Sequence, residues 1–349
     1  MSRIGIGEIF KKNTEPRMAT LSRFPHRGKR RRFWLFSALL LLTGAGVGTA
    51  VLCGAKPADK PAVSDLWKKD APVLRVVSSK DLSALDISSR HAVLVRRDTG
   101  ETLYRKAAAE PAYSASLTKM MTALVAIERL PDMETEVTLP ESLFRRLLLQ
   151  EASVAGFLPG ERVSAADLLY AALLPSGADG AVGLALAAAG SEETFVEWMN
   201  QKAAELGMTD THFVNVTGLH DPEQVTTAND MAKLLDAALA NETFRTVFTA
   251  QRHLVPPTNR HPTGLMLSST LFRRLDGTPE GVTILGGKTG YTSEAGLCLA
   301  SLAEVEGRPC LLVTLGASGD NRTKPRHIED ALAIYAACRE KTAFLEQAG

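Results

Sequence analysis

The sequence predicts an α+β fold: an antiparallel sheet formed by strands from both chain ends, flanked by helices, with an all-helical part between. Three observations lead there. His91 to Arg105 holds two strand-like runs broken at Thr99-Gly100, the pattern of a hairpin. From Ser164 to Ala240 apolar residues recur at helical spacing behind hydroxyl residues that read as caps. After Val282 the chain returns to apolar strand-like runs. Strands at both ends with helices between them form one sheet layer and one helical layer.

Composition bounds the function. The 349 residues are 45% hydrophobic and 23% charged with net charge +1, enough for one large or two modest domains. The balanced charge argues against nucleic acid as a partner, and 6% aromatic residues is thin for a base-stacking platform. The four cysteines, Cys53, Cys298, Cys310 and Cys338, have no CxxC spacing, so neither a zinc knuckle nor a disulfide framework is signalled. The last three sit in apolar runs and read as buried thiols. No histidine forms a His-Glu-x-x-His pair, and His220 beside Asp221 reads as a hydrogen-bonding residue. No metal and no cofactor are expected.

In chain order, residues 1–32 form a basic tail ending Arg27-Gly-Lys-Arg-Arg-Arg32. Residues 33–53 carry no charge and are long enough to cross a bilayer as a single transmembrane anchor, or to be cut as a signal segment. The basic cluster orients the tail inward, so the rest of the chain is expected outside the cytoplasmic membrane. Residues 54–75, with prolines and mixed charge, read as a linker. The folded domain is expected over 76–345. After the first hairpin, small polar residues (Ser114, Ser116, Thr118) lead into an apolar helix, where a serine can cap free backbone N–H groups. A short helical piece, Glu141 to Leu149, lies in an irregular stretch. Helices are expected over 164–174, 181–189, 192–206, and from Thr226/Thr227 to Ala240, with residues 252–280 mixed. Strands follow at 282–285, 296–302 and 309–315, the last two joined by Glu304-Val-Glu-Gly-Arg308, and a helix from Arg326 to Phe344 closes the chain.

The chemistry is carried by three separated pieces. Ser116 and Lys119 are one helical turn apart, which sets a hydroxyl within reach of an amine. A serine is a poor nucleophile until a base takes its proton, and a lysine is that base only where its charged form is disfavoured. Ser176-Gly-Ala178 lies on a loop between helices, and Lys288-Thr289-Gly290 lies just before the strand through Leu297. Serine–lysine, a second serine, and lysine–threonine–glycine form a known signature in this order. The flanks Ser116-Leu-Thr-Lys-Met-Met-Thr-Ala123, Gly287-Lys-Thr-Gly-Tyr-Thr292 and Glu205 to Leu219 extend it.

Together these residues resemble the serine D-Ala-D-Ala carboxypeptidases, the low-molecular-mass penicillin-binding proteins of peptidase family S11, from about Val76 to Ala337. The resemblance implies a β-lactamase/transpeptidase-like fold and removal of the terminal D-alanine from peptidoglycan stem peptides. It implies that Ser116 attacks the carbonyl, Lys119 accepts its proton, and Ser176 relays a proton to the leaving amine. Lys288 would help hold Lys119 neutral and, with Thr289, grip the substrate carboxylate. Gly290 would let the strand approach the substrate, and the backbone N–H groups of Ser116 and Tyr291 would hold the oxyanion. β-Lactams would acylate Ser116 and leave slowly.

Two departures stand out. The second motif usually reads serine–glycine–asparagine, and here Ala178 takes the third place, with Asp179 beside it. We read this as tuned activity. Many family members also add a β-rich domain and an amphipathic membrane helix, so tethering is expected from 33–53. Two rival readings remain: a serine β-lactamase, for which no Glu-x-x-Leu-Asn is present between Ser176 and Lys288, and a non-catalytic peptidoglycan-binding module on the same scaffold. A phosphate loop is excluded at Gly286-Gly-Lys288-Thr289, because the glycine spacing is wrong and a strand follows.

Overall fold

The computed structural model describes residues 85–347, with side chains described to residue 339. The basic tail 1–32, the apolar segment 33–53, the linker 54–75 and the first residues of the expected domain lie outside the described residues. Among the described residues no helix is long and apolar enough to cross a membrane.

The chain ends do meet in one sheet. Strands β1 (His91–Arg96) and β2 (Glu101–Lys106) form the expected hairpin. Strands β7 (Val282–Thr292), β8 (Gly296–Val305) and β9 (Arg308–Ala317) form the antiparallel C-terminal meander. β1 pairs with β9 from His91 opposite Leu315 to Arg96 opposite Cys310, giving the order β2-β1-β9-β8-β7. The β8–β9 turn puts Glu306 and Gly307 both at positive φ, 47° and 71°, which matches the right-handed twist of a two-residue hairpin.

Both faces of this sheet are covered, and side chains alternate between them. Val93, Leu311, Val313, Ala300 and Leu302 point into the core shared with the helical layer. Leu94, Cys310, Leu312, Leu299 and Ala303 point to the opposite face, where Ile328, Ile334 and Tyr335 of α8 (Arg326–Gln347) pack. Burial on both sides explains why these strands read as unbroken apolar runs rather than alternating ones.

The helical layer is α1 (Thr118–Arg129), α2 (Glu141–Leu149), α3 (Ala165–Leu173), α4 (Ala178–Ala189), α5 (Glu192–Glu205), α6 (Ala228–Ala240) and α7 (Glu242–Thr249). Ser164 and Thr227 cap α3 and α6 as expected, each accepting the N–H three residues on. The serines before α1 do not cap it. Residues Ala115–Leu117 form a 3-10 turn, neither its first residue nor that of α1 has a side-chain cap, and Ser114 Oγ instead pairs with Thr118 Oγ1 at 3.0 Å.

Other differences from the sequence reading are local. α4 begins at Ala178, not Ala181, so Ala178 and Asp179 belong to its first turn. β7 runs on to Thr292 rather than ending at Leu285, so Lys288, Thr289 and Gly290 lie within a strand as well as just before the one through Leu297. Within the stretch read as mixed, β5 (Arg252–Val255) pairs with β6 (Leu265–Ser268), while β3 (Glu136–Thr138) pairs with β4 (Arg162–Ser164). α7 was not anticipated, because only the extended backbone of Asn241 separates it from α6. Cys298, Cys310 and Cys338 are buried, as read.

His327, in the first turn of α8, is almost fully buried, and burial followed by the nearby Arg274 charge lowers its pKa to about 4. The folded protein therefore refuses a proton that the unfolded chain takes near pH 6.5. Stability should be unaffected by this group above pH 6.5 and fall as pH drops from 6.5 towards 4, by on the order of 3 kcal/mol in all. Urea titrations across that window should be flatter for His327→Leu than for wild type; parallel curves would contradict this.

Candidate active site

Ser116 lies in the 3-10 turn that opens into α1, directly after Ala115, whose φ is 45°. A left-handed non-glycine residue is strained, and such strain concentrates at functional sites. One turn on, Lys119 is 2% exposed, and its Nζ donates to Ser116 Oγ at 3.0 Å and to the Thr217 carbonyl at 2.6 Å. Burial lowers the Lys119 pKa to about 7, against an opposing pull from the Asp179 carboxylate. A substantial neutral fraction of this amine therefore exists at neutral pH.

The Thr217 carbonyl is held in place by its own loop. Asn215 Oδ1 accepts from Thr217 N at 3.1 Å, Thr217 Oγ1 at 3.1 Å and Gly218 N at 2.7 Å, and Asn215 Nδ2 donates to Leu219 O at 3.0 Å. Thr122 Oγ1, on the Lys119 side of α1, donates to Val216 O at 2.7 Å. Gly218, at φ 79°, presses against the strained turn: a Cβ there would stand 1.9 Å from the Ala115 oxygen. Thr217, Asn215 and Gly218 were not assigned a role from sequence, although Asn-x-Thr-Gly is an Asx-turn signal.

Ser176 sits between α3 and α4, also left-handed, with φ 67°. Its Oγ accepts from Lys288 Nζ at 2.8 Å across 112 residues of chain. Lys288, 0% exposed, also donates to the Thr289 carbonyl at 2.7 Å. Burial, and then the charge of Lys119, hold the Lys288 amine well below the ordinary lysine range. The expectation was that Lys288 holds Lys119 neutral; burial does this at Lys119, and the charge effect runs the other way, from Lys119 onto Lys288.

β7 is an edge strand of the sheet, and it carries Lys288, Thr289, Gly290 and Tyr291 past Ser116. Gly290 lets β7 approach the Ser116 turn closely. A Cβ on it would lie 3.0 Å from Ser116 N, 3.1 Å from Ala115 Cβ and 3.1 Å from Ser114 O. The next residue, Tyr291, is half-buried and registers opposite Leu297. Thr289 Oγ1 lies 2.6 Å from Thr270 Oγ1.

Asp179 does not stand in for the missing amide of the second motif. Its carboxylate, 0% exposed, accepts from the backbone N–H groups of Ala155, Gly156, Phe157 and Gly180 at 2.8 to 3.3 Å. Ala178 N meanwhile donates to Ser153 O at 2.7 Å. The α4 N-terminus thus holds residues 153–157 beside the Ser176 turn. Burial raises the Asp179 pKa, and the four N–H bonds oppose that shift. His220 packs edge-on against Tyr113 at 4.8 Å, and no cluster of three metal-ligating side chains occurs among the described residues.

Two hydroxyl–amine pairs, each amine buried, converging beside an edge strand of an α+β sheet, define the chemical class of a serine–lysine acyl-transfer site. The comparisons narrow this. A family model described as D-alanyl-D-alanine carboxypeptidase, peptidase S11, matches residues 78–319. The chain belongs to this family. It is 35% identical over 245 residues to the D-alanyl-D-alanine carboxypeptidase DacF of Bacillus subtilis, covering 68% of this chain and 60% of that one. It is 31% identical over 251 residues to a D-alanyl-D-alanine endopeptidase of Pseudomonas aeruginosa, covering 71% and 76%. The crystal structure of a Streptomyces DD-transpeptidase superposes with TM-score 0.63 at 28% identity, covering 73% of this chain and 98% of that one. The fold is thus of the transpeptidase-like kind that the resemblance implied. The chain spans less than two thirds of the length of the Bacillus relative.

Removing the Asp179 acceptors should destabilise the fold. Asp179→Ala leaves four N–H groups without a partner and should cost on the order of 3 kcal/mol in urea unfolding. Asp179→Asn keeps one acceptor oxygen and should lose clearly less; equal losses would mean the carboxylate is not what holds this loop.

Proposed function

We propose that this chain is a serine D,D-carboxypeptidase that removes the terminal D-alanine from peptidoglycan stem peptides and is acylated by β-lactams. The observation that carries the reading is the pairing of two buried lysines with two serines, Lys119 with Ser116 at 3.0 Å and Lys288 with Ser176 at 2.8 Å. Neutral Lys119 takes the Ser116 proton as Oγ attacks the carbonyl between the two D-alanines. The oxyanion is received by the N–H groups of Ser116 and Tyr291. Support for that pairing is the close approach of Gly290 to Ser116 N. As the C–N bond breaks, the proton that Lys119 took passes through the Ser176 hydroxyl, held by Lys288, to the departing amine, which returns Lys119 to its neutral form. Earlier, as the substrate binds, its carboxylate favours the charged form of Lys288, which takes a proton from water and grips the carboxylate together with Thr289. Water then attacks the acyl-enzyme, with Lys119 again the base, and regenerates Ser116.

A β-lactam passes through the same first step, but its amine stays tethered to the acyl group, so the adduct persists. The D-Ala-D-Ala carboxypeptidase, endopeptidase and DD-transpeptidase names among the relatives differ in the group that leaves or the acceptor that follows, not in the acyl-enzyme step. Water as acceptor fits a carboxypeptidase. With Ala178 in the second motif, an amide contact to the peptide backbone is absent, and we read the activity as tuned rather than lost. We further propose that 33–53 anchors the chain in the cytoplasmic membrane with the domain on the extracytoplasmic side, or releases it if the segment is cut. The uncharged run behind Arg27 to Arg32 supports this.

Intact mass after incubation with penicillin should show one covalent adduct on wild type and none on Ser116→Ala, with acylation slowed by roughly 10³-fold or more. An adduct on the variant would remove Ser116 as nucleophile. The pH profile follows from Lys119: its protonated form cannot accept a proton, so the acylation rate should rise with pH through about 7 and level above it. A flat profile between pH 5.5 and 8.5 would exclude Lys119 as the base.

A further inference from the structure

Between β6 and β7 the chain passes the site once at Ser269, Thr270 and Leu271, and this pass is pinned at three points. Ser269 N donates to Gln251 O at 2.9 Å, and Thr270 N donates to Leu174 O at 3.0 Å. Leu271 fills the space beside Gly287, where an added Cβ would come within 2.5 Å of its Cδ2. Leu174 stands two residues before Ser176, and Gly287 immediately before Lys288. The pass is therefore tied to the backbone of both motifs.

The Thr270 side chain completes the link, with its Oγ1 2.6 Å from Thr289 Oγ1. Only one of two hydroxyls at this distance can donate to the other, so each fixes the other's orientation. A free threonine hydroxyl spreads its proton over three rotor positions. When Thr270 donates to Thr289, the Thr289 proton must point elsewhere. A carboxylate only accepts hydrogen bonds, and it favours that arrangement: Thr270 to Thr289 to carboxylate, a chain whose bonds strengthen one another. A carboxamide in the same place lacks the charge that makes the last bond strong.

We propose that Thr270 is a positioning residue that sets the Thr289 hydroxyl as a donor to the substrate carboxylate, and so selects peptides with a free C-terminal carboxylate. This rests on the carboxypeptidase reading above. It is tested by steady-state kinetics on one peptide ending in D-Ala-D-Ala and on its C-terminal carboxamide, using wild type, Thr270→Val, Thr270→Ser and Thr289→Val. Thr270→Val should raise KM for the acid about tenfold with kcat within about twofold, and lower the acid-to-amide ratio of kcat/KM by about tenfold. Thr270→Ser should restore the ratio. In the Thr289→Val background, adding Thr270→Val should change it less than about twofold, since the first residue acts through the second. Equal losses on acid and amide, or an unchanged ratio, would overturn the assignment. A wild type that hydrolyses neither peptide removes the carboxypeptidase reading and this assignment with it. A working wild type with an unaltered Thr270→Val ratio overturns this assignment alone.

Discussion

Two ammonium groups buried this deeply, the charge of one lowering the proton affinity of the other, cannot both keep their charge at rest. Lys119 and Lys288 are both buried, both reach a serine and a carbonyl, and each is driven toward its neutral form chiefly by lost hydration. Among the described residues, no carboxylate bonds either amine. Asp179, the nearby carboxylate, spends its oxygens on backbone N–H groups. A bonded carboxylate would have kept Lys119 charged and useless as a base. Carbonyl oxygens satisfy the amines while leaving their proton affinity low.

That arrangement depends on backbone segments packed more closely than side chains would allow. Gly290 of β7 lies against Ser116 N, and Gly218 lies against the Ala115 carbonyl. Between them, Ala115 takes a left-handed conformation that a larger or branched residue would adopt less readily. The same conformation recurs at Ser176, where α3 gives way to α4. Both serines therefore sit at strained turns clamped from outside: one by the loop of Asn215 and by β7, the other by the Ala178–Ser153 bond. Strain maintained in this way keeps reactive groups from relaxing, because the surroundings have no other packing open to them.

The sheet does for Lys288 what the helix does for Lys119. β7 has one neighbour, β8, and leaves its other edge toward the helical layer, where the Ser116 turn and α7 lie close to it through Gly290 and Gly286. Placing Lys288 there requires β1 to join β9 correctly, since a one-residue slip would exchange the two faces of the sheet. The opposite cores, one shared with α1 and the other with α8, make that slip costly.

Much of this was legible in the chain itself. The first hairpin, the C-terminal meander, and the caps Ser164 and Thr227 rest on local signals, and they appear in place. The break at Asn241, the extension of β7 past Lys288 and the three-residue strands carry little local signal. The grip of Asp179 on residues 155–157 and the contact of Thr270 with Thr289 carry none, because the partners meet only through the fold. By itself the sequence determined which groups are reactive and that Ser116 faces Lys119, since the helical repeat is a property of neighbouring residues. Tertiary structure alone decided that Lys288 reaches Ser176, and that both amines lose their water. Proton affinity belongs to the surroundings of a group, and those surroundings are assembled from distant parts of the chain.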